Sequence, residues 1–203
     1  MTDTILIVGS TGTIGSALVT EFSQSHVVIG ASRSGEQRVD LTDVDSIEEL
    51  ANRVGESHPP LAGVLCAAGG GLVAPLGEMN MTDALSAFSA KLVGQMALVR
   101  FASQLVRPGG AIVLTSGILA KQPMAKMSHL STINAALEGF VRAAAIECAP
   151  VRVCCVSPGL VNESPPKVLS LFDGMRRISA AELARVYRDV FENGESGTAR
   201  DAF

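Results

Sequence analysis

The sequence predicts a doubly wound α/β fold, a parallel sheet covered by helices on both faces, as a single domain over residues 1–203. Three observations predict it. Continuous Val/Ile/Leu runs alternate with helical patterns from end to end, as in strands buried on both faces. Gly9, Gly12 and Gly15 stand at G-x-x-G-x-x-G spacing between the first apolar run and the first helical pattern. Small or polar residues follow each strand-like run, at 9–15, 31–33, 67–71, 115–117 and Ser157–Val161. In an open parallel sheet those strand ends are where ligands bind.

The elements follow in order. Ile5–Val8 is a strand, and a helix runs from the glycine turn to about Ser25. His26–Ala31 is the second strand, and Val39-Asp40-Leu41 is a short extended piece. Thr42 or Asp43 caps a helix with an acidic first turn, which Pro59-Pro60 stops after about Ser57. Ala62–Ala68 is a buried strand, and Gly69-Gly70-Gly71 opens a loop to about Asn80. A long helix is expected from Met81 to Val106, ended by Pro108-Gly109-Gly110, and Ala111–Ser116 is the next strand. A second long helix, about Ser128–Ala149, leads into strand Val151–Val156. Beyond Ser157-Pro158-Gly159 the pattern loosens to an amphipathic helix near Ala180–Glu192 and a tail, Thr198–Phe203, able to form an edge strand.

Composition narrows the function. At 203 residues and a net charge of −4, the chain offers one sizeable core and no basic field for nucleic acid or an anionic membrane. No apolar stretch approaches the ~20 residues of a spanning helix, and no cationic region precedes the first apolar run. The expectation is a cytoplasmic protein acting on a small molecule. Cys66, Cys148, Cys154 and Cys155 lack paired C-x-x-C spacing, so they are read as core thiols and no metal is expected. Strand, glycine turn and helix start together suit a dinucleotide pyrophosphate, with Gly9, Ser10, Thr11, Gly12, Thr13, Ile14 and Gly15 around it. The same motif also suits a tight turn with no ligand.

These pieces resemble the short-chain dehydrogenase/reductase family over nearly the whole chain. The resemblance rests on the glycine turn, Asp40, Cys66-Ala67-Ala68-Gly69, Ile112–Ser116, the helix stretch Asn134–Phe140, and Val151-Arg152-Val153 followed by Ser157-Pro158-Gly159. It implies a Rossmann-like fold, a nicotinamide cofactor, and dimers or tetramers formed through the two long helices. Ala-rich stretches at Ala135, Ala136 and Ala143–Ala145 permit such contacts, although they suit packing on the sheet equally well. By the same resemblance, Asp40 and Leu41 lie by the adenine. Ala67, Ala68 and Gly69 line the ribose and pyrophosphate path, and Pro158, Gly159 and Val161 flank the nicotinamide.

Charge selects NADP(H). An NAD site wants an acid after the second strand, whereas here Ser32 and Arg33 precede the first acid, Glu36. Arg33 can grip a 2′-phosphate bidentately, and Ser32 can donate to it.

The catalytic positions depart from the family pattern of Ser, Tyr-x-x-x-Lys and a helical Asn. The flanking matches place Leu130 at the Tyr position, Asn134 at the Lys, Gly117 at the Ser and Lys91 at the Asn. Lys and Asn thus stand exchanged between two helices, with Lys91 near the nicotinamide ribose and Asn134 as its partner or touching the ribose; the same pattern also suits a decayed site with a surface lysine and a packed asparagine. Ser116 is the hydroxyl expected to orient substrate, Thr115 a second. His129 is a candidate general acid, or else a solvated residue at a helix start. Tyr187 is read as packing. The expected activity is NADP(H)-dependent reduction of a small carbonyl or enone. A catalytically silent cofactor-binding sensor or scaffold, and a non-redox lyase or isomerase, remain open.

Overall fold

The computed structural model describes residues 2–58, 60–172 and 174–203. Pro59, half of the expected helix stop, lies outside them. The strands are β1 (Thr4–Val8), β2 (Val27–Ser32), β3 (Gln37–Arg38), β4 (Leu61–Cys66), β5 (Val106–Thr115), β6 (Arg152–Pro158), β7 (Leu160–Val161), β8 (Arg177–Ile178) and β9 (Ala199–Ala202). The helices are α1 (Thr13–Phe22), α2 (Val44–Ser57), α3 (Met81–Phe88), α4 (Gly94–Ala102), α5 (Ser128–Glu147), α6 (Pro166–Leu169) and α7 (Ala180–Asn193). Seven strands form one sheet, ordered β3-β2-β1-β4-β5-β6-β9, and every neighbouring pair is parallel. The chain winds outward in both directions from the β1/β4 junction, which is the switch point where a crevice opens.

Alternation along the strands builds two cores. On β1, Leu6 and Val8 face a cluster shared with Leu50, Leu98 and Leu137, while Ile5 and Ile7 face Phe22, Leu183 and Tyr187. Helices α2, α4 and α5 therefore cover one face and α1 and α7 the other. Asp43 caps α2 by accepting from the Asp45 N–H, and Ser179 with Glu182 forms a capping box on α7. The tail does form the edge strand β9, pairing with β6.

Two expectations fail around residue 105. The helix begun at Met81 ends at Ala102, not Val106, and β5 already starts at Val106. Pro108-Gly109-Gly110 is no helix stop but a bulge. Leu61 pairs with Val106 and Gly63 with Ala111, so residues 107–110 loop out of the ladder. The same helix is interrupted: Ser89–Val93 forms a π turn between α3 and α4. The short extended piece also moves, to Gln37–Arg38.

Among the described residues, no helix is long and apolar enough to cross a membrane. No cluster of three or more His, Cys, Asp or Glu there could hold a metal. All four cysteines are free.

Candidate active site

The glycine turn shapes the first cavity. Gly9 adopts φ +86°, and a Cβ on it would lie 2.8 Å from the Ala67 carbonyl oxygen. A Cβ on Gly15 would lie 1.9 Å from the Gly9 oxygen, so only glycine lets α1 sit this close to the turn. Gly12 is the N-cap of α1, where a Cβ would come into van der Waals contact with the Gly9 oxygen at 3.4 Å, and no side chain caps the helix. The first N–H groups of α1 remain available to an anion.

This turn borders a cleft of about 400 Å³ lined by Gly9, Thr11, Gly12, Ser32, Arg33, Asp40, Leu41 and Ala67–Gly70. Ser32 lines this cleft, and its hydroxyl is buried beside Gly35 with no hydrogen-bond partner. Arg33 is exposed beside it. The Asp40 carboxyl accepts from the Thr42 N–H at 2.9 Å and the Thr42 hydroxyl at 2.8 Å. Those bonds, with Arg33 adding a smaller attraction, hold it below the usual carboxylate range. An orphaned hydroxyl, a free guanidinium and an uncapped helix start fit a dinucleotide bearing a further anionic group.

A second cavity of about 220 Å³ shares the Ala67–Gly69 wall with the first. Ile118, Leu119, Leu130, Val161, Phe172 and Met175 make it largely apolar, and Lys91 and Asn134 also line it. Lys91 is only 7 % exposed. The π turn and the close passage of Gly69 against its stem aim the amine inward. Its Nζ donates to Asn134 Oδ1 at 2.8 Å and to the Ser116 carbonyl at 2.9 Å. Of its three N–H donors, one is left for whatever enters the cavity. Burial pushes the amine down to about 8, with the Cys66 and Cys155 thiols opposing weakly.

The scaffold beneath is tightly bonded. The Gln95 side chain donates to the Thr115 carbonyl at 3.1 Å and accepts from the Thr115 N–H at 3.0 Å, fixing α4 to the end of β5. Gly94 lets the same helix close on Leu41, where a Cβ would meet the Leu41 oxygen at 2.4 Å.

The family model described as enoyl-(acyl carrier protein) reductase matches residues 16–187. The chain belongs to the short-chain dehydrogenase/reductase family. The vibriobactin-specific 2,3-dihydro-2,3-dihydroxybenzoate dehydrogenase of Vibrio cholerae serotype O1 is 29% identical over 127 residues, 61% of this chain and 48% of that protein. The short-chain dehydrogenase/reductase ucsE of Acremonium sp is 26% identical over 134 residues, 65% of this chain and 43% of that one. The chain thus spans about half the length of the curated relatives it matches. The crystal structure of lin1944 from Listeria innocua superposes with a TM-score of 0.92 at 28% identity, covering 99% of this chain and 100% of that one. A small-chain dehydrogenase crystallised with NADPH shares the fold, with a TM-score of 0.88 at 24% identity over 100% of this chain and 97% of that one.

Within this short-chain dehydrogenase/reductase scaffold, the expected site residues divide into two groups. Gly9, Thr11, Gly12, Ser32, Arg33, Asp40, Leu41 and Ala67–Gly69 surround the first cavity. Ile14, Lys91, Asn134, Ser116, Pro158, Gly159 and Val161 surround the second. Ser10 turns aside, its hydroxyl donating to the Ala31 carbonyl at 3.2 Å. Thr13 lines a groove on the far side of α1, toward α7, so only its backbone could reach a phosphate.

Three candidates change character. His129 is neither a solvated residue nor placed to give a proton. It is buried, with Nε2 donating to the Ala84 carbonyl at 2.9 Å and Nδ1 accepting from the Leu72 N–H at 3.3 Å. Its ring sits edge-on to Phe88, and it ties the glycine loop to α3. Ser116 faces α5: its hydroxyl bonds the Asn134 carbonyl at 3.0 Å and Glu138 Oε1 at 3.2 Å. Ser157 donates to the same Glu138 oxygen at 2.7 Å. Tyr187, read as packing, does fill the core, yet its hydroxyl meets Thr115 Oγ1 at 2.5 Å while Thr115 donates to the Cys66 carbonyl. Burial raises the phenol far above its ordinary value. Gln95, Glu138 and Tyr187 were missed as parts of the site because each acts through a partner distant in sequence. The one local hint was Gln95, an uncharged polar residue four places after Lys91.

Proposed function

We propose that the chain is an NADP(H)-dependent oxidoreductase that reduces a small carbonyl or conjugated enone through an atypical site. One observation carries the reading. A buried, hydrogen-bonded Lys91–Asn134 pair stands where the cleft at the glycine turn meets a small apolar cavity.

The α1 N-terminus with Gly9, Thr11 and Gly12 would hold the pyrophosphate, Asp40 and Leu41 the adenine end, and Pro158, Gly159 and Val161 the nicotinamide. Ser32 and Arg33 would take the 2′-phosphate. When bound, the cofactor supplies a hydride. Lys91 holds positive charge where oxyanion character develops, and a low-dielectric wall magnifies its effect. Asn134 orients that amine. Gly117 leaves room for it, since a Cβ there would lie 2.7 Å from Asn134 Nδ2. Ser116 is a positioning residue that pins α5 to the strand end.

The second reading, a silent NADP(H) sensor, is favoured by Leu130. An apolar side chain lines the cavity at the register where the family pattern has its phenol. Titration with NADPH and NADH, followed by NADPH absorbance against a carbonyl and enone panel, separates the two. NADPH oxidation with any acceptor supports the reductase; tight binding with none across the panel supports the sensor. Arg33→Ala is expected to weaken NADPH binding about tenfold and leave NADH unchanged, the lower end for a charged hydrogen bond at an exposed site. Equal wild-type affinity for both cofactors would overturn the NADP(H) assignment.

We also propose a homo-oligomer. Met81, Leu85, Val93 and Met96 on α3–α4 and Ile146 on α5 present large apolar side chains to solvent. Light scattering at micromolar concentration is expected to give a dimer or tetramer mass; a monomer contradicts this.

A further inference from the structure

We propose that Lys91 is an amine nucleophile that forms a Schiff base with a ketone or enone in the apolar cavity. The inference shares that cavity with the reductase reading and deepens it, but its first step needs no cofactor.

The chain has four lysines, and Lys91 is the only buried one; Lys121, Lys126 and Lys167 are exposed. Its two hydrogen-bond partners, Asn134 Oδ1 and the Ser116 carbonyl, are neutral acceptors, and no carboxylate lies within salt-bridge distance of it among the described residues. A lysine desolvated in an apolar pocket without a counter-charge is the environment that frees an amine for attack on carbonyls. The lowered proton affinity agrees: about a tenth of the amine is neutral at pH 7, against on the order of one part in a thousand for an exposed lysine.

Apart from Lys91 itself, no side chain lining the cavity is placed to give a proton. Leu130 has no proton to give, both His129 nitrogens are bonded to backbone, and the Ser116 and Thr115 hydroxyls are committed. Ser164 lines the cavity with a hydroxyl, but an aliphatic alcohol is too weak an acid to activate a carbonyl by protonation. A covalent iminium carries the activating positive charge on the substrate itself, with the Lys91 ammonium as the source of the proton that leaves in water.

The free Nζ adds to the carbonyl carbon, the C=O π pair moves to oxygen, and a proton shifts from nitrogen to oxygen. Protonation of that hydroxyl lets water leave. In sum, ammonium plus carbonyl gives iminium plus water, with charge conserved. The remaining N–H still finds Asn134 Oδ1 or the Ser116 carbonyl. On an enone, the cation would leave the conjugated carbon able to take the hydride that a bound dihydronicotinamide would supply, without acid at oxygen. The resulting enamine takes a solvent proton, and one water then releases the product and restores Lys91.

Reductive trapping tests it. The wild-type protein is incubated at neutral pH with acetone or cyclohexanone and sodium cyanoborohydride, then digested and mapped by mass. An isopropyl or cyclohexyl adduct should form on Lys91 about tenfold or more faster than on Lys121, Lys126 or Lys167, and be absent from that position in Lys91→Met. Labelling only at the exposed lysines, or at equal rates, overturns the proposal. NADPH binding without a Lys91 adduct would sink the amine and keep the reductase. An adduct without NADPH binding would do the reverse.

Discussion

Lys91→Met is expected to lower turnover of the panel's best acceptor by about 10²–10³-fold, with NADPH affinity within about threefold of wild type. Methionine keeps the length and most of the volume of the lysine stem, so packing against Gly69 is preserved. What disappears is the amine. The Asn134 and Ser116 oxygens lose a donor, at about 1–3 kcal/mol for each buried acceptor left unmet. Removal of a desolvated charge offsets part of that, so the variant should fold. Unaltered turnover would remove Lys91 from the chemistry.

The pH behaviour adds a second handle. In the unfolded chain the amine titrates at its ordinary value of 10.5, and burial brings it down to about 8 in the folded protein. Between those values the unfolded state binds more protons, so wild-type stability should climb as pH rises through that window. Lys91→Met should lack this rise, as urea midpoints across the window would show. In kinetics, a site that uses the ammonium loses activity above about pH 8, whereas one that uses the neutral amine gains activity up to it.

Gly15→Ala carries the other large effect. Its Cβ would lie 1.9 Å from the Gly9 oxygen and 2.6 Å from the Gly9 carbonyl carbon. That backbone cannot retreat, because the Gly9 N–H is bonded to the Ala31 carbonyl at 2.8 Å and its other side abuts Ala67. A loss of about 3 kcal/mol or more is expected, together with loss of NADPH binding, because α1 must swing off the turn. Gly77→Ala, with no atom within 4 Å of the added Cβ, should change stability by less than about 0.5 kcal/mol. Similar urea midpoints for the two variants would refute this account of the turn.

The alternation of apolar runs with helical patterns was enough to read the parallel sheet, and the small residues after each run mark the edge where the two cavities open. That succeeds because both signals are local. The failures are tertiary. Nothing in Pro108-Gly109-Gly110 says that the preceding helix has already stopped at Ala102, since the bulge exists to match β5 to β4. Thr115 and Ser116 are adjacent hydroxyls, yet one meets Tyr187 and the other α5, because successive residues point to opposite faces. Their partners lie 72 and 18 residues away. His129 reads as a helix-start residue until α3 and the glycine loop close on it. The Lys91–Asn134 contact was legible only because flanking residues set a register in which the two types stood exchanged.

The π turn at Ser89–Val93 has an evolutionary consequence. Such a turn amounts to one residue inserted into an α-helix. Deleting a residue there would let α3 and α4 fuse into a regular helix with their flanking packing retained, but would turn a neighbour of Lys91 toward the cavity. A single-codon deletion could thus silence the chemistry and spare the fold. On this scaffold a change in chain length alone would then present or withdraw the buried amine, with no substitution at a residue that lines the site.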